Sequence, residues 1–147
     1  RAAVLALDAM GAPRILVVNR DLARAEQLVA DLGVEAARAA TYEETSLEQA
    51  LPDTDVLVNA TSLGWRAGEM PLPSPLLDLL PQRAVVFDMT YRDTDLLQAA
   101  TARGLIAADG LAMLVHQGAR AFALFTGRDA PVQVMLQAAQ AARDGAA

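Results

Sequence analysis

The chain contains no cysteine, no lysine, one histidine and few aromatic residues. Without cysteine there is no disulfide framework and no thiolate metal site. His116 alone supplies little material for a zinc centre, so no metal site is expected. Without lysine, all 12 basic residues are arginines and any catalytic lysine must lie outside the chain. The apolar runs stop well short of the ~18 residues that a membrane span needs, and no basic segment leads an apolar stretch to a small-residue cleavage site. A cytoplasmic protein without a membrane partner is expected. A net charge of −6 disfavours a general nucleic-acid surface, which depends on clustered cations.

At 147 residues and 54% hydrophobic, the chain is long enough for one domain with a real core. Ala2 to Met10 is an apolar helix that Gly11 and Pro13 terminate. Ile15 to Val18 and Asp55 to Ala60 read as strands buried on both faces, and Ala84 to Met89 as a further strand. Gly33 to Ala40 and Leu105 to Ala107 read as weaker strands. Leu22 to Leu32 has a one-sided apolar face and Gly33 at its end, as an amphipathic helix should. Tyr42 to Leu51, Leu76 to Leu80, Thr94 to Arg103, Gly110 to Thr126 and Pro131 to Arg143 complete the helical segments, around a loop from Thr61 to Pro75. Strands alternating with helices predict an α/β fold with a doubly wound parallel sheet. No repeat or low-complexity linker divides it.

In a dinucleotide-binding βαβ unit the second strand ends on an acidic residue that holds the adenine ribose, ~20 residues after a glycine-rich turn. Here that position is Asn19, followed by Arg20. Counting back places the glycine turn and first strand upstream of Arg1, so a partial Rossmann-like domain is expected. A guanidinium at Arg20 favours a ribose 2′-phosphate that a carboxylate would repel, and Arg24 lies one helical turn on. On spacing alone, both fit ordinary surface arginines equally well. Asp21 is placed to cap the helix but adds negative charge beside the phosphate site.

Three further segments place small or amide-bearing residues beyond strand ends, where open α/β sheets bind ligands. They are VNATSLG at 58–64, FDMTY at 87–91 and DGLAMLVHQGARAFALFTG at 109–127. Asn59, Thr61 and Ser62 offer hydrogen bonds to a ribose or nicotinamide, although such a turn is also a common helix cap. Tyr91 reads as an amphipathic residue at the core's edge. Leu111, Leu114, Val115, Gly118, Phe122 and Phe125 share a helical spacing and are expected to pack on the sheet. His116 reads as a partly exposed helix residue without a catalytic role, and Trp65 as a lid or a cover for apolar surface.

In order and combination, these motifs resemble the C-terminal, NADP-binding half of shikimate dehydrogenase over essentially all of the chain. The resemblance implies that Asn19, Arg20 and Arg24 hold the NADP 2′-phosphate, that Asn59, Thr61 and Ser62 flank the nicotinamide ribose, and that Met89 and Gly110 contact the cofactor. It implies that Tyr91 meets the shikimate carboxylate and Gln117 its hydroxyls. The family's catalytic Lys and Asp belong to an N-terminal substrate domain, so no catalytic residue is expected in this chain. The implied activity is NADPH-dependent reduction of 3-dehydroshikimate to shikimate. An NAD-using quinate/shikimate relative and a non-catalytic nucleotide-binding or interaction module are the alternatives.

Overall fold

The computed structural model describes residues 1–145, apart from the side chains of Glu44 and Thr45. It divides into two compact units, Arg1–Thr54 and Asp55 onward.

The first unit contains α1 (Ala2–Ala9), β1 (Ile15–Asn19), α2 (Leu22–Leu32), β2 (Ala37–Thr41) and α3 (Glu44–Ala50). β1 pairs in parallel with β2, from Ile15 opposite Ala37 to Asn19 opposite Thr41. Ile15 and Ala37 are buried with Val4 of α1 and Val34, and Leu28, Val29 and Leu32 pack against that cluster. The amphipathic face of α2 therefore does what its spacing predicts. Both ends of α2 are punctuated as expected. The Asp21 carboxylate accepts the Arg24 amide at 3.3 Å, and Gly33 takes the left-handed conformation at φ 62°.

The second unit contains β3 (Val56–Asn59), a 3-10 segment at Ser74–Leu79, β4 (Val85–Asp88), α4 (Asp95–Ala102), β5 (Ile106–Ala108), α5 (Leu111–Thr126) and α6 (Val132–Asp144). Its sheet runs β3-β4-β5, all parallel. Leu77, Val86 and Leu96 are its largest fully buried apolar side chains. Arg103 at the end of α4 ties that helix to the 3-10 segment. Its guanidinium pairs with Asp78 and donates to the Ser74 carbonyl at 3.0 Å.

The fold class expected from the sequence is present: parallel strands alternate with helices. Among the described residues the strands form a two-stranded and a three-stranded sheet. Burial departs from expectation in two places. Leu16 and Val56, read as buried on both faces, are 45% and 43% exposed, because small sheets leave much strand surface uncovered. Along α5 only Leu111, Val115 and Ala119 are buried, while Leu114 and Phe122 are part-exposed and Phe125 is 89% exposed. The helix is 16 residues, about 24 Å, long, and its buried residues lie in its first three turns. The helix is in contact with α6.

Candidate functional site

In the first unit, β1 delivers Asn19 to the start of α2. The Asn19 side-chain oxygen accepts the Asp21 amide at 3.0 Å, which shapes the strand-to-helix turn. Asp21 also pairs with Arg24 at 3.2 Å, in a contact where both side chains are largely exposed. Arg20 is exposed and forms no ion pair among the described residues. Its charge is felt by Tyr42. Burial raises the Tyr42 phenol above its ordinary value, and the nearby Arg20 guanidinium opposes that rise. The two arginines therefore differ. Arg20 has its guanidinium uncommitted by an ion pair, while Arg24 is held by the residue that caps its helix. An exposed guanidinium without an ion pair is chemically suited to an anionic group.

In the second unit, β3 ends on Asn59, which is only 4% exposed. Its carboxamide makes three hydrogen bonds within its own turn. Nδ2 donates to the Leu63 carbonyl at 3.0 Å, while Oδ1 accepts the Thr61 amide at 3.1 Å and the Thr61 hydroxyl at 2.7 Å. The Thr61 hydroxyl in turn accepts the Leu63 amide at 3.1 Å. Asn59 and Thr61 thus set the shape of the NATSLG turn, and Ser62 stands exposed on it.

The parallel β4 ends on Asp88, whose side chain is fully buried. One carboxylate oxygen accepts the Thr90 amide at 3.0 Å and the other accepts the Thr94 hydroxyl at 2.8 Å. Thr94 also caps α4 by accepting the Leu97 amide. Asp88 and Thr94 were not singled out as site residues. The string FDMTY contains Asp88, but nothing local says that its carboxylate will organise two loops. Between these anchors Met89 is half-buried and Tyr91 is 40% exposed. The Thr90 hydroxyl is buried and finds no hydrogen-bond partner among the described residues.

Gly110 precedes α5 and is held against the same turn, its amide donating to the Thr90 carbonyl at 2.6 Å. A Cβ there would stand 3.0 Å from the Thr90 carbonyl oxygen and closer still to that of Met89. Glycine is thus required by the chain's own backbone, a reason the sequence does not display. Asp109 accepts the Leu111 amide at 3.0 Å and pairs with Arg143 of α6 at 2.8 Å, fixing the start of α5. Gln117 and His116 are both exposed on α5.

The loop after NATSLG brings Trp65 to this turn. Its ring meets that of Tyr91 edge to face, with centroids 5.3 Å apart and planes at 85°, and the Arg92 guanidinium lies 5.0 Å from the Trp65 ring centre. Arg92 also lines a cleft of about 240 Å³ with Leu97, Asp109 and Arg143. Among the described residues no group of His, Asp and Glu is arranged to hold a metal ion, and no helix is long and apolar enough to cross a membrane.

The chain is similar to known proteins over most of its length. Residues 1–64 match the family model for shikimate / quinate 5-dehydrogenase, and residues 110–140 the model for the C-terminal domain of shikimate 5′-dehydrogenase. The shikimate dehydrogenase (NADP(+)) of Symbiobacterium thermophilum is 42% identical over 99% of the chain and 51% of its own length. The structure of shikimate 5-dehydrogenase from Thermus thermophilus in complex with NADP(H) and shikimate superposes with a TM-score of 0.78 at 36% identity, over 96% of this chain and 50% of that one. Quinate dehydrogenase from Corynebacterium glutamicum in complex with NAD gives 0.75 at 32% identity, over 92% and 49%. The chain spans about half the length of the curated relatives it matches.

Proposed function

This chain belongs to the shikimate dehydrogenase family, and from that premise we propose that it forms the NADP-binding half of an enzyme that reversibly reduces 3-dehydroshikimate to shikimate. The observation that carries this reading is positional. The turns at Asn19-Arg20, Asn59–Gly64 and Asp88–Tyr91 each follow the carboxyl end of a parallel strand, and Gly110 opens the helix after another. This is where an open α/β sheet binds its ligand.

In this reading Arg20 binds the 2′-phosphate through charge-assisted hydrogen bonds, while Asn19 shapes the turn that presents it. The NATSLG turn offers Ser62 and its exposed backbone to the nicotinamide ribose. Met89 and Gly110 contact the cofactor in this reading, Gly110 through backbone drawn tight against the Thr90 carbonyl by an approach that only glycine permits. The nicotinamide, when bound, supplies or accepts the hydride. The Tyr91 hydroxyl holds the shikimate carboxylate and Gln117 the ring hydroxyls, so these two residues orient the substrate. Proton transfer falls to the catalytic Lys and Asp of the family's N-terminal substrate domain. Such a domain is proposed as the partner of this chain.

One feature favours a second reading. Asp21 caps α2 and pairs with Arg24, which places a carboxylate next to the 2′-phosphate position, an arrangement suited to NAD. The alternative is therefore an NAD-using quinate/shikimate dehydrogenase. Steady-state assays of the protein expressed from its native reading frame separate the two. Shikimate with NADP should be the fastest pair. Faster turnover of quinate with NAD would establish the second reading, and no turnover of either polyol with either cofactor would exclude both.

A further inference from the structure

Trp65, Tyr91 and Arg92 form a cluster held by backbone on every side yet open to solvent. One oxygen of the Glu69 carboxylate accepts the amides of Gly64 and Arg66, the two neighbours of Trp65, both at 3.1 Å. The Gly68 amide donates to Asp95 at 2.5 Å, pinning the far side of the same loop to α4. Gly64 adopts φ 110°, a conformation that suits glycine, with its would-be Cβ 3.1 Å from the Thr94 methyl carbon. On the other side, Tyr91 follows Thr90, whose amide and carbonyl are both fixed, by Asp88 and Gly110.

Two rings carried on immobilised backbone meet edge to face, but Trp65 remains 41% and Tyr91 40% exposed. Rings that only filled a core would be covered. Here the contact restrains the direction of a phenol on a residue that stays 40% exposed, and an edge-to-face pair has a defined geometry that a general apolar contact lacks. Arg92, lying over the Trp65 ring, braces the indole from the chain segment that carries Tyr91.

We propose that Trp65 is a positioning residue: through its edge-to-face contact it holds the Tyr91 phenol in the direction that presents the hydroxyl to the substrate carboxylate. The inference rests on the reading of Tyr91 as the carboxylate contact.

Kinetics of the complete enzyme test it. Trp65→Ala should raise the KM for shikimate about two- to tenfold, the span that loss of one aromatic pair predicts, with a smaller fall in kcat and little change in the KM for NADP. Trp65→Phe should recover most of the loss. Because the effect passes through Tyr91, adding Trp65→Ala to Tyr91→Ala should cost little beyond Tyr91→Ala alone. Additive losses, or an equal rise in the KM for NADP, would overturn the proposal. Trp65 is the sole tryptophan, so its fluorescence reads the contact without catalysis. Tyr91→Ala should shift the emission to the red, and an unchanged spectrum would also overturn the proposal. A protein that shows the spectral shift but turns over neither shikimate nor quinate would instead refute the enzymatic reading and leave the ring contact standing.

Discussion

The Gly110 amide donates to the Thr90 carbonyl at 2.6 Å, so the start of one helix is fastened backbone to backbone onto the turn that follows β4. The approach is closer than any side chain at position 110 permits. Gly110→Ala should therefore force the two segments apart. Overpacking of this kind costs about 1–3 kcal/mol or more, and thermal melting should show a drop of several degrees. An unchanged melting temperature would mean that the contact yields without strain.

The Asp88 carboxylate is buried and depends on Thr94 for one of its two hydrogen bonds. Thr94→Val removes that donor and the cap of α4 together, so a loss of about 2–4 kcal/mol is expected in denaturant unfolding. Thr94→Ser should restore most of it. Thr90→Val should be neutral or stabilising, because the Thr90 hydroxyl is buried without a partner among the described residues. Equal destabilisation by Thr90→Val and Thr94→Val would contradict this account of the turn.

Cofactor choice should respond unequally to the two arginines. In the complete enzyme, Arg20→Ala should weaken NADP about 10- to 100-fold and NAD far less, as expected for loss of a charge-assisted contact of about 1.5–3 kcal/mol. Arg24→Ala should have the smaller effect, since Asp21 already engages that guanidinium. Comparable effects on both cofactors would place Arg20 outside the phosphate site.

Tyr42 gives a pH dependence with a definite sign. Burial raises its pKa in the folded state, so the neutral phenol contributes stability fully below its unfolded value of about 10, and that contribution is lost as pH rises through the folded value. Unfolding measured across this alkaline range should fall less steeply for Tyr42→Phe. Removing the Arg20 charge should raise the phenol pKa further, readable in the phenolate absorbance. A fall in pKa would mean that Arg20 does not face Tyr42.

Local chemistry made most of the fold legible in the sequence. Asp21 caps its helix where the sequence placed it, and Gly33 ends that helix in the left-handed conformation. Strands β1, β3 and β4 lie within a residue or two of the apolar runs that suggested them. What escaped depends on distant groups. Helical spacing placed Phe125 on a buried face, but spacing says which residues share a face and not how far along the helix that face is covered. The burial of Asp88 and its hold on Thr94, six residues on, likewise show only in the folded chain. The partner of Gly110 lies some twenty positions upstream, and the contact of Trp65 with Tyr91 is likewise set by tertiary structure.

Among the described residues, β4 is the one strand with a neighbour on each side. Its backbone is laddered along both edges, whereas the other strands each present one edge without a strand partner. Local opening follows such differences in support, so amide exchange should be slowest along Val85–Asp88 and faster on β1. The turn that carries Met89 and Tyr91 thus grows directly from the stiffest rail of its unit, while Asn19 and Arg20 sit at the tip of a two-stranded ribbon. Within that unit, a substitution that loosens β3 or β5 should therefore reach the Tyr91 turn only after it has freed its own strand.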